Sequence, residues 1–102
     1  MTEQKEMGRR EIPIVKIKTR ERESCRKIRG VTVKVAAVRV PMPKHIVLHV
    51  KLKDGTEKVV KAHLVSMYNN YAYYFLYASQ VEELMPVINQ IQEVKAYEDE
   101  TQ

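Results

Sequence analysis

The stretch His45-Ile-Val-Leu-His-Val-Lys-Leu-Lys-Asp-Gly-Thr-Glu-Lys-Val-Val-Lys-Ala-His-Leu64 decides the fold class. Ile46, Leu48, Val50 and Leu52 alternate with His45, Val47, His49, Lys51 and Lys53, which is the period-two pattern of a strand with one buried face. Asp54-Gly55 is a hairpin turn pair, and Val60, Ala62 and Leu64 continue the alternation beyond it. The register follows from which faces meet. A bare two-residue turn would set Leu48 against Lys61 and mix apolar with charged. A three-residue loop, Lys53-Asp54-Gly55 with Gly55 left-handed, sets Leu48 against Val60, Ile46 against Ala62 and Lys51 against Glu57. The three-residue loop is therefore expected. It also sets His45 opposite His63 on the face away from Leu48.

N-terminal to this hairpin, Val31, Val33 and Val35 alternate with Thr32 and Lys34, which predicts a strand through Val40 with a bulge near Ala36-Ala37. Pro41 and Pro43 end it, because proline has no N–H for the ladder. Ile12, Ile14 and Ile17 around Pro13 read as a short edge strand over 11–18. Residues 19–29 carry many charges and only Cys25 and Ile28 as apolar residues, so they read as a one- or two-turn helix or a solvated loop. Residues 1–10 have no apolar periodicity and are expected to be a disordered tail. Residues 11–98 form one domain, and 99–102 an acidic tail.

C-terminal to the hairpin, Ser66–Asn70 reads as a turn, with Asn69 and Asn70 as candidates for positive φ. Tyr71–Ala78 is an aromatic strand. Ser79-x-x-Glu82 has the form of a capping box, and Val81, Leu84, Met85, Ile88, Ile91, Val94 and Tyr97 recur at three- and four-residue spacing. This predicts a C-terminal helix kinked at Pro86 and frayed at its acidic end. The expected fold is α+β: an antiparallel sheet of four to five strands, made of two successive hairpins, with the C-terminal helix on one face. Residues 33–50 and 59–76 align at an offset of 26 residues, which suggests a weak internal duplication.

Five of the chain's six tyrosines, Tyr68, Tyr71, Tyr73, Tyr74 and Tyr77, fall within ten residues, together with the sole phenylalanine, Phe75; there is no tryptophan. A tyrosine pairs an apolar ring with a polar tip, as interface residues do. The alternative is that Tyr71, Tyr73, Phe75 and Tyr77 cover the sheet beneath the helix. Four long aromatics exceed what so small a core hides, so at least one is expected at an exposed groove, with Tyr74 on the opposite face.

The net charge of +5 conceals a gradient: residues 11–29 carry a net +4 and residues 82–102 a net −5. Lys16, Lys18, Arg20, Arg22, Arg26, Lys27 and Arg29 are candidate phosphate contacts, with tyrosines beside them to stack on bases. Glu21 and Glu23 interleave the cluster, so a self-neutralised surface is the plainer reading.

Catalysis finds little support. His45 and His49 lie about 13 Å apart along a strand, too far to share an ion, and the His45–His63 pair lacks a third ligand. The lone Cys25 has cationic neighbours but no base or oxyanion site, and no glycine-rich phosphate loop is present. No metal or cofactor is implied. The spacing Tyr73-x-x-x-Tyr77 resembles the paired tyrosines of replication-initiator and relaxase nucleases, but the His-hydrophobic-His motif of those families is replaced by His45-Ile-Val-Leu-His49, and the match fails. No stretch approaches the ~20 apolar residues of a membrane helix, and no signal peptide is visible over residues 1–10. An intracellular protein is expected.

By composition over its whole length, rich in Lys, Arg, Glu and Val with Tyr in place of Trp, the chain resembles small orphan proteins encoded by viruses of hyperthermophilic archaea. The resemblance implies a binding or host-interaction role in the cytoplasm of a host cell. The leading expectation is a non-catalytic module that binds a protein or peptide, or a second copy of itself, through Tyr68, Tyr71, Tyr73, Tyr74 and Tyr77 and an adjacent groove or edge. The alternative is a small basic nucleic-acid-binding protein.

Overall fold

The computed structural model describes residues 11–23, 27–37 and 41–99, with side chains omitted for 20–29. The expected disordered tail (1–10), Cys25, Arg26 and residues 100–102 lie outside the described residues.

Among the described residues the fold is one antiparallel sheet of seven strands: β1 (Glu11–Ile12), β2 (Ile14–Glu23), β3 (Lys27–Ala36), β4 (His45–Leu52), β5 (Glu57–Tyr68), β6 (Tyr71–Leu76) and β7 (Ile91–Glu98). Their order is β1-β7-β4-β5-β6-β3-β2. The two outermost strands are consecutive in sequence and separated only by Pro13. The sheet therefore curls into a half-barrel whose ends meet at one proline. Pro13 itself cannot donate to a ladder, but its carbonyl accepts from the Ala36 N–H at 3.0 Å, fastening the join to β3.

The four- or five-strand sheet with a C-terminal helix is thus corrected in three places. The first is the charged segment 19–29, whose described parts, 19–23 and 27–29, are strand. There β2 pairs with β3, with Glu21 at the register position opposite Arg29 and Glu23 at that opposite Lys27. The second is the C-terminal helix. The α-helix α1 spans only Ala78–Leu84, and a 3-10 segment, Met85–Gln90, follows with Pro86 in its first turn. Ile91–Glu98 is a strand. Its helix-like spacing arises from a bulge: Lys51 pairs with Glu93 but Leu52 with Ile91. The extra residue, Gln92, breaks the period of two. The proposed capping box is also absent; Tyr77 is the N-cap and no side chain caps the helix.

The third correction concerns the duplication. β5 and β6 form a hairpin, but β3 and β4 do not; β6 and β5 lie between them. The segments 33–50 and 59–76 are therefore not two equivalent hairpins.

The central hairpin has the expected register. Leu48 faces Val60, Ile46 faces Ala62, Lys51 faces Glu57 and His45 faces His63. Leu52 and Thr56 close a three-residue loop through the Leu52 N–H to Thr56 carbonyl bond of 2.9 Å, and Gly55 has φ +95°. At the next turn β5 runs on to Tyr68, leaving only Asn69-Asn70 as the loop, with Asn69 at φ 56°.

The core fills the inside of the curl. Val31, Val33 and Val35 of β3, Ile46, Leu48 and Val50 of β4, Val60 and Ala62 of β5, and Ala72, Tyr74 and Leu76 of β6 all point inward. Val81 and Leu84 of α1 and Met42 of the β3–β4 connection close it over. α1 is tied to β5 by the Lys61 N–H donating to Gln80 Oε1 at 3.0 Å.

Candidate basic and aromatic face

On β6 the aromatic residues divide between two faces, with Tyr74 opposite to its neighbours as expected, and the alternative in which the odd positions cover the sheet beneath the helix does not hold. The even positions are the core face, and Tyr74 is fully buried, its hydroxyl donating to the Pro43 carbonyl at 2.6 Å. Ala72 beside it is small, which leaves room for a ring on the inner face. The odd positions, Tyr71, Tyr73 and Phe75, stand on the outer face, and the helix does not cover them. Phe75 is 40% exposed, Tyr77 37% and Tyr68, at the hairpin end, 67%. Of the five tyrosines, Tyr74 is the one whose ring is inaccessible to a partner.

β6 also lies inside the sheet, paired to β5 on one side and β3 on the other. Both its backbone edges are used, so it takes no extended peptide by strand addition. Whatever meets these rings meets them face on.

The pairing places the basic strand beside them. Residues directly opposite one another in a ladder share a face. One row across the outer surface is Lys16, Lys34, Tyr73 and Ser66. The next is Lys18, Thr32, Phe75, His63 and His45. None of these positions is a carboxylate; Asp99, whose N–H donates to the His45 carbonyl at 3.1 Å, follows beyond His45. Lys16, Lys18, Thr32, Lys34 and Tyr73 line one shallow, open depression of about 210 Å³. Lys34 Nζ stands 4.2 Å from the Tyr71 ring centre and 6.0 Å from that of Tyr73, a cation–π seat that holds the ammonium group over the face.

At the far end of the second row Tyr77 is clamped by the paired histidines. Its hydroxyl shares a 2.8 Å hydrogen bond with His45 Nδ1, and its ring centre lies 4.9 Å from that of His63. Among the described residues no group of three or more His, Cys, Asp or Glu side chains is placed to hold a metal ion. A second depression, of about 240 Å³, is lined by His49, Lys51, Glu57, Glu93, Lys95 and Tyr97. Its two lysines and two glutamates balance, so it selects no ligand by charge.

Of the seven basic candidates, Lys16 and Lys18 join this face. Arg20, Arg22, Lys27 and Arg29 are described only as register positions of β2 and β3. Sequence reasoning missed Lys34, Thr32, Phe75 and His63 as members of the face. The alternation of Thr32 and Lys34 with buried valines marked a polar face on β3. What it lacked was the partner, since the pairing of β3 with β6 spans some forty residues of chain and leaves no local signal.

Comparison of the chain with protein-family models, curated proteins and solved structures finds no match. Among the described residues no helix is long and apolar enough to cross a membrane.

Proposed function

We propose that this protein is a nucleic-acid-binding module whose contact surface is the outer face of β2, β3 and β6. The observation that carries this reading is the convergence of Lys16, Lys18 and Lys34 with Tyr73 around one open depression free of acidic lining. Lysines supply point charges for phosphate oxygens, and exposed rings supply stacking surfaces that accept any base. An open, shallow depression suits a polymer that passes over the surface better than a small molecule that must be enclosed.

The test is the binding of labelled polynucleotides at about 50 mM and about 200 mM salt. Three phosphate contacts on a single strand give a slope of log K against log salt of about −2, hence a roughly twentyfold loss over that range. The triple change Lys16→Ala, Lys18→Ala, Lys34→Ala should abolish most of the affinity. Undetectable binding at the lower salt would sink the proposal.

A protein-binding reading has one observation of its own. The β5–β6 hairpin end is exposed at every residue from Val65 to Tyr71, with Val65 46% and Met67 41% accessible beside Tyr68. A second copy of this chain, meeting hairpin end to hairpin end, would cover these residues. Sedimentation of the protein and of a Met67→Lys, Tyr68→Lys variant checks it. A monomer at high concentration removes this reading.

A further inference from the structure

The face described above distinguishes between forms of nucleic acid. We infer that its ligand is an extended, unstacked single strand, with successive bases seated on Tyr73 and Phe75 and the intervening phosphates on Lys34, Lys16 and Lys18. This rests on the nucleic-acid reading and narrows it.

The spacing of the rings is the first ground. Tyr73 and Phe75 are two residues apart on one strand and share a face, which sets them about 6.7 Å apart. Bases within a duplex strand stack at about 3.4 Å. Neighbouring bases can therefore occupy neighbouring rings only when the strand is drawn out to about twice its duplex rise. A duplex also hides its base faces within the stack and offers these rings only phosphates and groove edges.

The chemistry of Phe75 is the second. It is the chain's sole phenylalanine and sits mid-sheet, 40% exposed, between Thr32 and His63 in its row. Phenylalanine has no polar tip to justify that position in water. A flat apolar ring flanked by a short threonine is open to a flat apolar partner. The cations are the third ground. Lys34 lies over Tyr71 and is nearer to it than to Tyr73. Tyr71 thus acts as the seat of the ammonium group, while Tyr73 and Phe75 take the bases. Lys34 and Lys16 flank the Tyr73 row, and Lys18 and Thr32 flank the Phe75 row. The Tyr73 position accordingly has Lys34 directly beside it, and the Phe75 position has Lys18 one strand further out, beyond Thr32.

The experiment compares an oligothymidylate, an oligouridylate and a blunt duplex with the same number of phosphates, by anisotropy and by the protein's own tyrosine emission. With no tryptophan present, tyrosine is the intrinsic emitter. Either or both single strands should bind at least about tenfold more tightly than the duplex and quench the emission, and their ratio tells DNA from RNA. Tyr73→Ala and Phe75→Ala should each weaken single-strand binding by roughly 5- to 100-fold, with the duplex affinity and the salt slope unchanged. Both rings are outside the core, so these variants keep the fold, and Phe75→Tyr should restore binding. Equal affinity for duplex and single strand, or full affinity in both alanine variants while the lysine variants lose it, would overturn this inference and leave the electrostatic reading standing. Absence of binding to all three would overturn both.

Discussion

The hydroxyl of Tyr74 donates a 2.6 Å hydrogen bond to the carbonyl of Pro43, from a ring with no solvent exposure. The bond links the central strand β6 to the β3–β4 connection, where Met42 is also buried. Tyr74→Phe keeps the ring but removes the donor to that carbonyl, at a cost of about 1–2 kcal/mol. Tyr74→Ala adds a cavity and should cost roughly 3–5 kcal/mol. Urea unfolding measures both. If Tyr74→Phe unfolds at the wild-type midpoint, the Pro43 bond contributes nothing.

Gly55 turns the central hairpin at φ +95°, and a Cβ added there would meet nothing within 4 Å. The cost of Gly55→Ala is therefore conformational, not steric, at about 1–2 kcal/mol. Gly55→Asn should cost less, because asparagine tolerates positive φ. Neither should move the register, which Leu48–Val60 and Ile46–Ala62 hold through burial. Hydrogen exchange at β4 and β5 amides checks this: a changed protection pattern in Gly55→Ala would mean that the turn sets the register.

Local chemistry made that hairpin legible. Its alternation, its Asp-Gly pair and the demand that Lys61 not face Leu48 all lie within twenty residues. Asn69 was legible for the same reason. The elements that were misread depend on partners far away. Residues 19–23 have no apolar alternation, because a half-barrel's end strand is specified by its neighbour as much as by itself. Ile91–Val94 took on a helical period through one bulge residue. On β6 the alternation separated Tyr74 from Tyr71, Tyr73 and Phe75, but one strand read alone left open which of the two faces is the core. The core, however, selects the face that fits opposite Val33 and Leu64, and the site's composition follows from that choice.

Asp54 anchors the same loop from its other end. Its carboxylate accepts from the Thr56 N–H at 3.0 Å and the Thr56 hydroxyl at 2.7 Å. These bonds, the backbone one first, hold its pKa below the ordinary 3.8. A group depressed on folding stabilises the protein above its unfolded pKa and loses that contribution as pH falls through the folded one. The stability difference between wild type and Asp54→Ala should therefore be constant above about pH 5 and shrink as pH falls below about 3.8. Urea unfolding across that range measures it. A difference that stays level down to acid pH would show that the carboxylate charge is not what Thr56 binds.

Lys34 joins the stability of the outer face to its proposed use, and two substitutions separate them. Lys34→Met keeps an unbranched stem but removes the charge over Tyr71, which should cost about 0.5–1 kcal/mol. It also removes one phosphate partner, so the salt slope for single strands should fall in magnitude from about 2 to about 1.4. Lys34→Arg retains the cation and its stacking on the ring, and should preserve both quantities. Lys95, which stands 3.7 Å from Glu93 in the charge-balanced depression, is the control: Lys95→Met should leave the slope unchanged. Should Lys95→Met lower the slope as much as Lys34→Met does, the charge of the whole molecule attracts the ligand and the β2–β3–β6 face has no special part in it.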